Sequence, residues 1–74
     1  MDILLFGSIA EKAGSPILRL EASSLAELHA ALIARVPELR TMRYAIAVDR
    51  RVVTTDLVLT GSEEIAVLPP FAGG

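Results

Sequence analysis

The residues of this chain best suited to chemistry are its last two. The sequence closes on Leu68-Pro69-Pro70-Phe71-Ala72-Gly73-Gly74, and composition alone places two glycines at a terminus in roughly one chain in two hundred. Without Cβ atoms, Gly73 and Gly74 can take backbone conformations closed to other residues and can thread a narrow cleft. The reactive group at such a tip is the α-carboxylate of Gly74, so this carboxylate is expected to be the working part. The competing reading is a frayed, inert terminus. The residues that precede the glycines argue against it. Ile65-Ala66-Val67-Leu68 is an apolar run of strand type. Pro69 and Pro70 cannot donate to a sheet ladder, so the strand must stop before them. Both fix φ near −65° and favour an extended exit. The tail over residues 69–74 then reaches roughly 20 Å at about 3.3 Å per residue. A stiff base and a slim tip suit insertion into another protein's active site better than they suit a Gly/Ser linker.

Other chemistries have little to stand on. The chain has no cysteine, which excludes disulfides, thiolate-bound zinc and thiolate-bound iron–sulfur clusters. His29 is the single histidine and is expected to be partly buried and structural, since no acid or nucleophile is spaced to work with it. No metal site and no permanently bound cofactor are expected. The net charge of −2 argues against general nucleic-acid binding. Arg35, Arg40, Arg43, Arg50 and Arg51 concentrate in the middle of the sequence against Glu38 and Asp49. They read as a solvated face, with a docking patch as the alternative. There is neither a basic-plus-apolar leader nor a run of 18 apolar residues, so the expected setting is the cytoplasm.

The elements that must position the tail fit one small domain over residues 1–68. Ile3-Leu4-Leu5-Phe6 is a continuous apolar run closed by Gly7 and reads as a strand buried on both faces. Residues 8–13 read as a short helical segment, and Gly14-Ser15-Pro16 as a turn. Residues 17–21 alternate, with Leu18 and Leu20 inward and Arg19 and Glu21 outward, as a hairpin partner of the first strand. Ser24 and Glu27 fit a capping box. Leu25, Leu28, Leu32 and Val36 then fall on one helical face, and Pro37 ends the helix at Val36. Residues 44–48 read as a third strand, residues 49–51 as a turn, residues 52–54 as a short return strand, and residues 57–61 as loop. The two terminal strands, apolar on both faces, should sit side by side in the middle of the sheet. One helix covers one face only. The apolar fraction of 53% then implies either an unusually full core or apolar side chains on the other face that, unless the 8–13 segment covers them, await a protein partner.

A compact sheet gripping one main helix, with a projecting Gly-Gly end, resembles the ubiquitin-like β-grasp fold: an α+β architecture with a mixed sheet of about five strands. Within it the chain resembles the small, sulfur-carrying subunit of molybdopterin synthase. Leu5-Phe6-Gly7 followed by a short helical segment and Gly14 is similar to the family's start. Ala47-Val48-Asp49 leading into Arg50-Arg51-Val52 stands where the family usually has Val-Asn-Gly. Gly61-Ser62-Glu63-Glu64-Ile65-Ala66-Val67 resembles its Gly-Asp-Glu-Val segment with one residue inserted. The specific part is the tail, since the family ends in Pro-Pro, an apolar residue, a small residue and Gly-Gly. Other diglycine β-grasp proteins usually lack the Pro-Pro.

The resemblance implies a co-substrate subunit rather than an enzyme by itself. An adenylating, E1-like enzyme would use ATP to activate the Gly74 carboxylate, and a sulfur donor would convert it to a thiocarboxylate. The loaded tail, with Pro69, Pro70, Phe71, Ala72 and Gly73 as its partner-binding stem, would enter the large catalytic subunit, in a heterotetramer. There its sulfur would attack the cyclic pyranopterin precursor of molybdopterin. Phe71 is expected to be exposed and to dock on that subunit, the alternative being that it folds back as a plug for this chain's own core. The rival functions are sulfur donation to thiamine thiazole or another thiolated metabolite, ubiquitin-like modification of lysines, and a plain interaction module.

Overall fold

The two terminal apolar runs do meet at the centre of the sheet. In the computed structural model, which describes residues 1–70, strand β1 (Asp2–Leu5) lies parallel to β5 (Ile65–Leu68), with Ile3 opposite Ile65 and Leu5 opposite Val67. Strand β2 (Ile17–Arg19) pairs antiparallel with β1. Strand β3 (Ala45–Val48) pairs antiparallel with β5, and β4 (Arg51–Val53) with β3. The order β2-β1-β5-β3-β4 makes a five-stranded mixed sheet. Helix α1 (Gly7–Ala13) follows β1, and the long helix α2 (Leu25–Arg35) follows β2. This is the β-grasp arrangement.

Period-two alternation sends Ile3, Leu5, Leu18, Ile46, Val48, Ile65 and Val67 to one face, where they are buried against Leu25, Leu28 and Leu32 of α2 and Ile9 of α1 in a single core. Each buried aliphatic side chain there contributes about 1.5–3 kcal/mol relative to exposure. Both helices pack on this face. The expectation that β1 is buried on both faces is therefore corrected: Leu4 is half-buried and Phe6 is exposed. One layer of helix shields one face of a sheet, and no element of the described chain lies over the other.

The start of α2 refines the capping box. Ser24 Oγ accepts the Glu27 N–H at 3.1 Å as expected. The return arm reaches one residue further back, where Glu27 Oε1 accepts from both the N–H and the hydroxyl of Ser23 at 2.9 Å. Those hydrogen bonds, the Ser23 N–H foremost, hold the Glu27 carboxyl below its ordinary range. Pro37 ends the helix as its geometry requires, with Val36 as the buried C-cap residue. A turn of 3-10 helix over Pro37–Arg40, not anticipated from the sequence, then buries Leu39. The β3–β4 hairpin turns on Asp49 and Arg50 alone, both at positive φ (50° and 69°). That is the primed two-residue turn, built without the glycine such turns favour. The expected three-residue turn is corrected accordingly, and Arg51 belongs to β4. Residues 57–61 are loop as expected, tied down by the Leu25 N–H to the Leu57 carbonyl and by the Leu59 N–H to the Ser23 carbonyl. Leu59 is thereby buried in the core.

Candidate functional site: the tail root and the open sheet face

The strand that carries the tail is the central one, held on both sides by β1 and β3. Its last residue, Leu68, pairs with Ala45, and pairing ends there. The β1 side continues one step further, with the Phe6 N–H donating to the Val67 carbonyl at 3.1 Å. At Gly7 the chain turns off the sheet at φ +55° and enters α1. Pro69, half-buried, passes directly against this corner: a Cβ built on Gly7 would lie 3.0 Å from Pro69 Cγ and 3.7 Å from Cδ. Pro70 is exposed. Phe71, Ala72, Gly73 and Gly74, four of the residues singled out from sequence, lie outside the described residues.

The face turned away from the helices is apolar across the whole sheet. The strand registers align Ile17, Leu4, Ala66, Ala47 and Val52 in one row over all five strands. Ile17 and Val52 are 48% and 57% exposed, so the row's ends stand open to solvent. Toward the tail, Leu68 and Ala45 form a second row on this face, next to Phe6 at 47% exposure. At the opposite end the face turns polar, with Asp2 and Arg19 paired at 3.9 Å and Arg50 and Glu64 at 3.6 Å. The apolar surface thus runs up to the root of the tail and ends in charges on the other side. Sequence reasoning anticipated an open face, but not Phe6, Ile17 and Val52 as its exposed members. The alternation that places Leu18 and Val53 inward was the available signal.

The remaining polar groups are engaged in structure. His29 is half-buried on α2, with Nδ1 2.8 Å from the Tyr44 hydroxyl and the two rings 5.5 Å apart. This is the structural histidine expected from sequence, and burial pushes the Tyr44 hydroxyl up from its ordinary pKa. A surface hollow lined by Glu21, Ser23, Glu27 and Thr60 holds carboxylates already committed, Glu21 to the N-terminal ammonium at 2.6 Å and Glu27 to Ser23. Among the described residues no group of three or more His, Cys, Asp and Glu is placed to hold a metal ion, and no helix is long and apolar enough to cross a membrane. All five central arginines are exposed, but they do not form one patch. Arg35 ends α2 and donates to the Arg19 carbonyl at 3.3 Å, Arg40 and Arg43 lie before β3, and Arg50 and Arg51 lie at the far hairpin.

The sequence model described as the ThiS family matches residues 3–74. No curated protein sequence matches the chain. Among solved structures, the small archaeal modifier protein 1 of Methanosarcina acetivorans superposes with a TM-score of 0.82 at 22% identity, covering 99% of this chain and 94% of its own. SAMP1 from Haloferax volcanii gives 0.79 at 22% identity, covering 99% and 97%. A chain of the complex of subunits 1 and 2 of the molybdopterin-converting factor from Helicobacter pylori gives 0.72 at 26% identity, covering 99% and 96%. The archaeal likenesses, at their identities, speak to the fold.

Proposed function

This chain belongs to the ThiS family, and from that premise we propose that it is the sulfur carrier of molybdopterin synthesis. At the coarser level it is a small β-grasp sulfur carrier or ubiquitin-like modifier, a co-substrate of catalytic partners rather than an enzyme by itself. The finer reading rests on one observation above others. The sequence ends in Pro-Pro, an apolar residue, a small residue and Gly-Gly, and the first of these, Pro69, follows the central strand at the edge of an open apolar face. The Helicobacter pylori relative was solved as a complex of two subunits, and an exposed apolar face beside the tail suits such an assembly.

In this reading a partner supplies every acid and base. Attack of the Gly74 carboxylate on ATP expels pyrophosphate and leaves an acyl-adenylate. A sulfur nucleophile then displaces AMP and leaves a thiocarboxylate. That group is a soft nucleophile, as a thiolate is, and it would be delivered to the pyranopterin precursor inside the large subunit. Phe71 would anchor the stem on that subunit, and Gly73 would pass its narrow channel. The chain would supply reach and docking.

The test is delivery. The thiocarboxylated protein is offered in parallel to a large molybdopterin synthase subunit with its pterin precursor and to a thiazole synthase with its substrates. Dithiolene formation in the first arm is expected. Sulfur transfer only in the second would assign the carrier to thiazole synthesis. Lysine-linked adducts in cells, with no transfer in either arm, would assign it as a modifier.

A further inference from the structure

Gly7 is the first glycine in the chain, and two independent features of its position require it. Its φ of +55° is left-handed, which costs most residues roughly 1–2 kcal/mol. Its bare α-carbon also faces the Pro69 ring, with 3.0 Å left for any Cβ. Real Cβ atoms rarely come so close, so a larger residue would have to displace the ring. Most side chains would swing aside. A proline ring is closed onto its own backbone nitrogen, so moving it moves the chain. The neighbouring backbone is fixed: the Phe6 N–H holds the Val67 carbonyl, and the Phe6 carbonyl accepts from Ile9 at 3.1 Å and Ala10 at 3.4 Å to start α1.

We propose that Gly7 is a positioning residue, a slot that seats the Pro69 ring and sets the direction in which the tail leaves the sheet. The proposal rests on the reading of the tail as the working part. Its physical weight is that of a lever. On the expectation that the tail is extended, residues 69–74 reach roughly 20 Å at about 3.3 Å per residue, so a tilt of about 10° at the root would carry the tip about 3.5 Å. A seated root raises the fraction of molecules whose tail already points into a partner's cleft. Its loss should therefore raise the KM of the activating enzyme for this chain while leaving kcat nearly unchanged.

The test uses the full chain with Gly7→Asn, Pro69→Ala and the double variant. Asparagine tolerates the left-handed conformation, so Gly7→Asn isolates the steric term. Pro69→Ala removes the ring at a position outside the strands, so it keeps the test open even if Gly7→Asn folds poorly. ATP–pyrophosphate exchange by the activating enzyme is read beside the unfolding midpoint. Either single variant should raise KM by about tenfold, on the order of one misdirected tail in ten being productive. Adding Gly7→Asn to Pro69→Ala should cost nothing more. A Gly7→Asn protein with wild-type KM, or one whose defect is additive with Pro69→Ala, overturns the slot. If the wild-type chain supports no exchange at all, the sulfur-carrier reading fails, and the slot is judged by NMR of the chain without partners. There a nuclear Overhauser contact between Gly7 Hα and Pro69 Hγ is expected. Shifts of the Ala72 and Gly73 amides in Gly7→Asn, absent when Pro69→Ala is added, support the slot. A missing contact or unmoved amides overturn it.

Discussion

The two faces of the sheet are both apolar in the middle and are used in opposite ways. On one, Ile3, Leu5, Ile46, Val48, Ile65 and Val67 are buried under α1 and α2. On the other, Ile17, Leu4, Ala66, Ala47 and Val52 form an equally apolar row, and its ends, together with Phe6, remain about half exposed. The first face is finished by this chain. The second is left open among the described residues, and on the proposed function it is the share of hydrophobicity reserved for association. Pro69 follows the central strand at the boundary of the second face, so the proposed docking surface and the proposed delivery tail adjoin.

Substitutions that separate the two shares should show the largest effects. Leu28→Ala, at a fully buried position, should lower unfolding free energy by about 2–5 kcal/mol in urea titrations. Val52→Ser, on the open face, should change it by less than about 0.5 kcal/mol, since Val52 is exposed among the described residues. The converse should hold for binding. Phe6→Ala should weaken the complex with the large subunit by about 2 kcal/mol by calorimetry if the ring fills a pocket there, with little change in the unfolding midpoint. A large stability loss in Phe6→Ala with unchanged affinity would merge the two faces into one.

A smaller effect tests the polar end of the sheet. Arg50 sits at φ 69° in a two-residue turn, and its 3.6 Å pair with Glu64 is exposed, which is worth little. Arg50→Gly should therefore stabilise the fold by about 1 kcal/mol without altering partner affinity, because this turn lies at the end of the sheet away from the tail. Thermal unfolding and calorimetry on one preparation read both quantities.

The smallest expected effect is a pH dependence. Glu21 is held below its ordinary value of 4.5 by the N-terminal ammonium, Glu27 by the Ser23 N–H, and Glu63 by the Thr60 N–H. For each, the unfolded chain binds protons more readily than the folded one. Their contribution is present above about pH 4.5 and is lost as pH falls through the lowered folded values. The urea midpoint should decline gradually as pH falls below about 4.5, and Glu27→Gln should flatten part of that decline. The open face carries none of these three groups, so partner affinity should not follow the same curve.

The sequence made the architecture legible because its strongest signals are local and periodic. The stripe Leu25, Leu28, Leu32 and the Ser24–Glu27 cap define α2, and the two apolar terminal runs define the central strand pair. What was not legible depends on contacts distant in sequence. The exposure of Phe6 follows from which face the helices choose. The 3-10 turn over Pro37–Arg40 follows from Leu39 finding the core, and the seat of Pro69 on Gly7 joins residues sixty-two positions apart. The turn at Asp49 and Arg50 is hidden in the sequence because its geometry normally announces itself with glycine. The root of the candidate site was half legible: Pro69 and Pro70 mark where the strand stops, whereas Gly7 reads only as the end of a strand.

On the proposed function, the group that reacts is the Gly74 carboxylate. The most direct test is intact-mass measurement after incubation with ATP, a cognate activating enzyme and a sulfur source. The expected result is a mass increase equal to the exchange of one oxygen for one sulfur, confined to the C-terminal fragment and absent from a chain lacking Gly74. A sulfur-free C-terminal fragment, or an unchanged mass under conditions in which the same enzyme loads another diglycine carrier, would contradict it.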